Sequence, residues 1–146
     1  MSQRSGTEPR RFSTGLVEFT GSPSPGSGAN PSIEGGDNVL IGGFITGNRL
    51  GNVSALVRAI GPSLAGQVPS PLADPILELH DSNGSTVATN NDWQDSQGQE
   101  IQQTGLAPTD AHESAIVASL QVGSHTVIVR GVNGTGNGVV EVYNLP

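Results

Sequence analysis

The chain has 146 residues, a formal net charge of −7 and no cysteine, and its six basic residues are all arginine. The acidic balance argues against a nucleic-acid partner, and the lack of cysteine excludes a disulfide framework, a thiolate metal site and a thiolate nucleophile. No apolar run approaches the length of about 18 residues that a membrane-spanning helix needs, so no membrane span is predicted.

The first 36 residues differ from the rest of the chain. They carry three arginines and three glutamates, so residues 37–146 hold the whole acidic excess. Residues 12–20 (FSTGLVEFT) are rich in β-branched and aromatic side chains, which predicts a strand. Residues 21–36 contain Pro, Gly and Ser without apolar periodicity, which predicts a linker. We therefore divide the chain into an N-terminal extension, 1–36, and a domain, 37–146.

The domain consists of short apolar or alternating runs separated by turn signals. Residues 81–84 (DSNG) and 133–138 (NGTGNG) predict hairpin turns, and residues 96–104 predict one short helix that ends before Gly105. Strands are predicted over 39–46, 53–60, 76–80, 85–89, 115–120, 125–132 and 139–143. With the strand at 12–20, this pattern predicts an all-β fold: a single antiparallel, jelly-roll-like β-sandwich of about eight or nine strands.

Several blocks of the domain resemble an uncharacterised family of β-sandwich repeats in large secreted or surface proteins of environmental bacteria. They are DNVLIGGFITG (37–47), RAIGPSL (58–64), LADPILELHDSNG (72–84), ATNNDW (88–93), TGLAPTD (104–110), ESAIVASL (113–120) and TVIVRGVNGTGNGVVEVYNL (126–145). The hairpin at 74–84 also gives a looser likeness to the C-terminal β-sandwich modules of secreted peptidases. In the repeat family, a leading strand similar to FSTG (12–15) enters the sandwich through a short turn instead of a long linker. The resemblance implies an extracellular, non-catalytic module and supplies no active site.

Four acidic residues around the predicted helix are candidate calcium ligands: Asp92, Asp95, Asp110 and Glu113. Calcium takes about six to eight oxygen ligands, which such a loop region offers, although the spacing does not match an EF-hand loop. The alternative is that these side chains form Asx-turns and cap the helix, with Asp95 or Ser96 as N-cap. No other cofactor is predicted.

A tryptophan, a serine and three histidines are further candidates for a binding or catalytic role. Trp93 is the only tryptophan and is a candidate platform for a sugar ring, with packing beneath its own loop as the alternative. Ser63 lacks the second glycine of a nucleophile elbow, and the three histidines are not spaced for a metal site on one element. We therefore expect no enzymatic activity.

Arg58 and Arg130 lie within predicted strands. A guanidinium at such a position needs a carboxylate partner, and Glu78, Glu113 and Glu141 are the candidates. We expect ion pairs that hold strands in register.

The functional hypothesis for this chain is based on the strand at 12–20 and the linker that follows it. Extended, the 16 residues 21–36 could span about 50 Å at ~3.3 Å per residue, so the strand could reach its own sandwich or a neighbour's. A sandwich without its first strand exposes an edge that templates pairing, and head-to-tail exchange that does not close makes a filament. The assembly residues would be Phe12, Leu16, Val17 and Phe19.

We therefore expect a non-catalytic structural subunit, extracellular or on the cell surface, that self-assembles into a filament or surface array by donating this strand. The alternative is a monomeric module that binds polysaccharide or calcium.

Overall fold

The described part of the chain folds into nine strands, one short α-helix and one 3₁₀ turn. The structure is a computed structural model that describes residues 10–11, 17–21, 39–47, 51–132 and 136–145, and for residues 10–11, 17–21 and 39 it describes the backbone alone. In chain order the elements are β1 (Arg10–Arg11), β2 (Val17–Gly21), β3 (Val39–Thr46), β4 (Val53–Ile60), the 3₁₀ turn (Pro62–Leu64), β5 (Pro75–His80), β6 (Thr86–Asn90), α1 (Gly98–Gln103), β7 (Ser114–Leu120), β8 (Gly123–Gly131) and β9 (Gly138–Asn144).

These strands form two antiparallel sheets. In the first sheet β4 lies between β7 and β9, and the other edge of β9 pairs with β1 and β2. The second sheet has the order β3-β8-β5-β6. The predicted all-β antiparallel sandwich with one short helix is confirmed.

The core lies between the two sheets and follows the alternation of each strand. Residues two apart on a strand point to the same face, and the inward residues of β4, β5, β8 and β9 are almost fully buried. The main core cluster consists of Phe44, Ala55, Val57, Ala59, Leu72, Leu77, Leu79, Ile116, Leu120, Val127, Val129, Val140 and Val142.

A second apolar cluster covers the outer face of the first sheet. It consists of Leu56, Trp93, Ile101, Ala115 and Tyr143, with residues on α1 and the neighbouring loops packed on the strands. Strand β4 is therefore covered on both faces, which explains its nearly continuous apolar sequence, VSALVRAI.

One close backbone approach explains two glycines at the end of the sandwich. A Cβ atom on Gly61 would lie 2.2 Å from the carbonyl oxygen of Leu72, and one on Gly136 would lie 2.7 Å from the Leu72 backbone nitrogen. Glycine is needed at both positions because no side chain fits there.

The predicted boundaries of the seven strands from β3 to β9 agree with the structure to within two residues. The N-terminal strand is described only over Val17–Gly21, so that Gly21, predicted to begin the linker, is its last residue. Residues 12–16, the rest of the linker and positions 133–135 of the last hairpin lie outside the described residues. The helices of the described part are too short or too polar to cross a membrane.

Candidate functional site

Strand β9 has two differently occupied edges. One edge pairs with β4, with Arg58 opposite Glu141 and Val57 opposite Val142. The other edge pairs with β2, from Val17 opposite Val142 to Gly21 opposite Gly138. This ladder places Val17 and Phe19, two of the four predicted assembly residues, opposite the buried Val142 and Val140. Phe12 and Leu16 lie outside the described residues.

The opposite edge of the same sheet, on β7, is closed by side-chain amides. The Val117 backbone N–H donates to Gln97 Oε1 (2.9 Å), and Gln97 Nε2 donates to the Val117 carbonyl (3.0 Å). Two residues earlier, the Ala115 N–H donates to Asn90 Oδ1 (3.0 Å). These amides make the bonds that another strand would make, so β7 is protected against strand addition. On β9, main-chain pairing with the N-terminal segment does this instead.

Arg58 and Glu141 form the polar centre of the β4–β9 pair on the outer face. Arg58 Nε donates to Glu141 Oε1 at 2.6 Å, while its Nη1 and Nη2 donate to the Leu106 carbonyl (2.8 Å) and the Tyr143 hydroxyl (3.0 Å). Tyr143 in turn donates to Glu141 Oε1 at 3.0 Å. The guanidinium carbon lies 5.1 Å from the centre of the Tyr143 ring, a cation–π distance.

Both predicted arginine ion pairs are present, and they use two of the three candidate carboxylates, Glu141 for Arg58 and Glu78 for Arg130. Arg130 pairs with Glu78 through Nη1 and Oε2 at 2.6 Å, and His80 Nε2 lies 3.1 Å from Glu78 Oε1. Glu113, the third candidate, has no arginine partner in the described part of the chain.

Glu113 is instead a fully buried carboxylate bound by a cradle of donors. Its Oε2 accepts from the backbone N–H groups of Gly61 (3.0 Å) and Ser63 (2.7 Å). Its Oε1 accepts from the Ser63 hydroxyl (2.8 Å) and the Asp110 N–H (3.3 Å). A buried charge is costly unless it is hydrogen-bonded, and this cradle joins the turn after β4 to the loop before β7.

A cleft of about 450 Å³ opens on the outer face beside β9. Its size falls within the usual range for small-ligand sites, roughly 300–1,000 Å³. Its lining combines aliphatic side chains with Arg58, Glu141 and the hydroxyl groups of Ser63 and Thr109. Among the described residues, the lining consists of Arg58, Ile60, Ser63, Leu64, Gln67, Val68, Pro108, Thr109, Val139 and Glu141.

The structure does not gather the four predicted calcium ligands around one point. Both oxygens of Glu113 accept N–H or O–H groups, and Asp95 is exposed. Asp110 Oδ1 accepts from the His112 backbone N–H at 2.9 Å, the Asx-turn geometry of the alternative interpretation. Within the described ranges, no group of three or more His, Asp or Glu side chains could hold a metal ion. The calcium site stays a prediction without support from these residues.

Asp92 instead lies near Asp74, a residue that sequence reasoning missed. Each has its Oδ1 buried without a hydrogen-bond partner in the described part of the chain. Burial raises the pKa of Asp74 above its ordinary value of 3.8, the charge of Asp92 raises it further, and His112 partly offsets both effects.

Of the two interpretations of Trp93, the structure supports packing beneath its own loop, because the side chain is only 7% exposed and lies in one apolar cluster with Leu56 and Tyr143. The predicted N-cap of α1 is wrong. The N-cap of α1 is Gln97, without a side-chain capping bond, and neither Asp95 nor Ser96. The Gln97 amide is committed to Val117 on β7, which leaves it unable to cap the helix.

Comparison with known proteins shows a likeness of fold alone. No protein-family model and no curated protein sequence matches the chain. Among solved structures, the chain is similar to the pre-peptidase C-terminal domain of collagenase from Bacillus anthracis, with a TM-score of 0.49 and 11% identity over 86% of this chain and 87% of that chain. Both resemblances drawn from the sequence, to the repeat family and to the peptidase modules, stay predictions.

Replacement of Glu113 by Gln is expected to destabilise the fold. The amide removes the charge and places an NH2 group where one carboxylate oxygen accepted two hydrogen bonds, so two of the four donors lose their acceptor. We expect the free energy of unfolding to fall by about 2–4 kcal/mol, measured by urea denaturation. Glu100→Gln, at an exposed position on α1, is the control and should change it by less than about 0.5 kcal/mol. A Glu113→Gln variant as stable as the parent would contradict the role of the cradle.

Replacement of Asp74 by Asn is expected to stabilise the protein in a pH-dependent way. Because the folded-state pKa is raised, the unfolded chain ionises first, and the parent loses stability as the pH rises from 3.8 through the folded pKa. The variant should therefore unfold at higher urea concentration than the parent at pH 7, and the difference should vanish below pH 3.8. A variant less stable than the parent at pH 7 would refute this assignment. Asp95→Asn, at an exposed position, is the control.

Proposed function

We propose that the protein is a non-catalytic, extracellular structural subunit that assembles head to tail, each copy giving its N-terminal strand to the β9 edge of the next. The observation that supports this proposal most strongly is the contrast between the two edges of the first sheet. Edge β7 is closed by the amides of Asn90 and Gln97, whereas edge β9 is closed by a main-chain ladder from the N-terminal segment.

In the structure this strand pairs with β9 of its own chain, and the proposal is that the same ladder forms between copies. The contacts made by a donated strand and by a cis strand are identical, which makes exchange between copies a low-cost route to assembly. The residues that follow β2 supply the reach, since 17 positions separate Gly21 from Val39. At ~3.3 Å per residue such a segment can extend to more than 50 Å.

The pairing also explains why an unfilled β9 edge would not persist. Two of the β9 residues that pair with β2, Val140 and Val142, are 1% and 0% exposed. Loss of β2 would expose the backbone N–H and C=O groups of the β9 edge, together with these valines, to water. The unpaired backbone groups and the exposed apolar surface both favour pairing with another suitable strand. A copy that has given its strand away therefore needs one from a neighbour.

The assembly is expected to be a filament because donor and acceptor are different parts of the chain. Such a contact is heterologous, and repetition that does not close generates an open polymer. The repeat-family resemblance, with the likeness to peptidase modules, supports the extracellular and non-catalytic parts of the proposal. The abundance of Ser, Thr, Asn and Gly and the absence of Lys agree with an exposed protein.

Replacement of Phe19 by Asp in the full-length chain tests the proposal. The substitution puts a carboxylate at the register position of the buried Val140. A charged residue paired with this core-facing position of β9 should weaken the ladder and raise the concentration needed for assembly by at least about tenfold. Sedimentation velocity and electron microscopy would measure this shift.

Thr20→Asp is the matched control. It introduces the same side chain one position along, opposite the half-buried Val139, and filaments should persist. The proposal fails if the parent chain stays monomeric at millimolar concentration, or if the Phe19 variant assembles as the parent does.

A further inference from the structure

We propose that the cleft beside β9 binds one neutral, hexose-sized sugar unit. This inference goes beyond the assembly proposal and does not depend on it. It uses residues different from Trp93, which is buried. The cleft volume of about 450 Å³ accommodates a ligand of this size.

The Arg58 side chain keeps hydrogen-bonding capacity for a ligand. A guanidinium has five N–H groups, and three of them donate to Glu141, the Leu106 carbonyl and the Tyr143 hydroxyl. Two N–H groups are left without a partner among the described residues. The existing bonds fix the guanidinium in place, so a ligand would meet a preorganised donor pair.

Hydrogen-bond acceptors also line the cleft. Glu141 Oε1 takes the bonds from Arg58 and Tyr143, and its Oε2 has no hydrogen-bond partner in the described ranges. The Ser63 hydroxyl donates to the Glu113 carboxylate, so it accepts from Thr109 across their 2.6 Å contact. Thr109, which is exposed, thus keeps the lone pairs of its hydroxyl available.

The charge balance of the cleft favours a neutral ligand. Arg58 and Glu141 are the charged side chains among its described lining residues, and they neutralise each other across 2.6 Å. A ligand carboxylate would face Glu141, and a ligand cation would face Arg58. A hydroxyl group donates and accepts at once, so neighbouring hydroxyls on a ring match an adjacent guanidinium and carboxylate.

Apolar side chains complete the lining of the cleft. They are Ile60, Leu64, Val68, Pro108 and Val139, without an aromatic ring. Ile60 and Val139 pair across β4 and β9 two residues along from the Arg58–Glu141 pair, so the apolar and polar parts of the lining are adjacent. Aliphatic side chains can cover the C–H face of a pyranose ring while its hydroxyls meet the neighbouring polar groups. Donors and acceptors next to an aliphatic surface point to a neutral sugar as the ligand class.

An NMR titration of the full chain tests this assignment. The probes are glucose, galactose, mannose, xylose and N-acetylglucosamine, with glucuronate as the acidic comparison. At least one neutral sugar should shift the amide signals of Ser63, Thr109 and Glu141, with a dissociation constant of about 1–10 mM, as expected for a ligand of so few atoms.

Two tryptophan variants localise the binding. Gln67→Trp fills the cleft from an exposed position and should weaken binding at least tenfold. Gln99→Trp places the same ring on the exposed face of α1, outside the cleft, and should leave the affinity unchanged. Thr109→Val, which removes one acceptor, should weaken binding with little effect on folding.

Three results would overturn the assignment. They are no shift with any neutral sugar at about 50 mM, equal affinity of the Gln67→Trp variant and the parent, and tighter binding of glucuronate than of every neutral sugar. Because each variant can be compared with the parent for assembly, loss of sugar binding with intact filaments separates this inference from the proposed function.

Discussion

The pairing of β9 on both of its edges is the constraint on which the first sheet depends. Its inward valines complete the core, and its outward Glu141 anchors Arg58 from the central strand β4. An unpaired edge of β9 would offer its backbone N–H and C=O groups to another strand. On β7 the chain meets this requirement with two amides that belong to the domain itself. On β9 it meets the requirement with a segment that any copy of the chain could supply.

Two polar groups, the Arg58–Glu141 pair and Glu113, organise the outer face of this sheet and differ in their contribution to stability. The Arg58–Glu141 pair remains partly exposed, with side-chain exposures of 19% and 13%, so it contributes more to strand register than to stability. Glu113 is completely buried, and its carboxylate depends on the donors of two separate loops. The cradle therefore holds Ser63 beside Thr109 and shapes the cleft wall.

The strands could be predicted from the sequence because each one depends on the residues within it. Each strand from β3 to β9 is a short apolar or alternating run between turn residues, and such a run is enough to predict where a strand begins and ends. The surroundings of Glu113 and Trp93 could not be predicted in this way. Glu113 meets Gly61 and Ser63 across more than 45 positions of sequence, and Trp93 is covered by residues that only the folded loop brings together. Gln97 shows the same limit, since nothing in its neighbours distinguishes a helix cap from an amide that closes a strand edge.

Disulfide cross-linking between two singly substituted chains tests the central claim most directly. The parent has no cysteine, and paired positions on antiparallel strands lie within disulfide distance. A Thr20→Cys chain mixed with a Val139→Cys chain should form a mixed disulfide dimer on oxidation, because these positions face each other across the β2–β9 ladder. The Thr20→Cys chain mixed with a Ser119→Cys chain, whose cysteine lies on β7, should not. Absence of the first dimer under conditions in which a doubly substituted single chain closes its own disulfide would contradict strand donation.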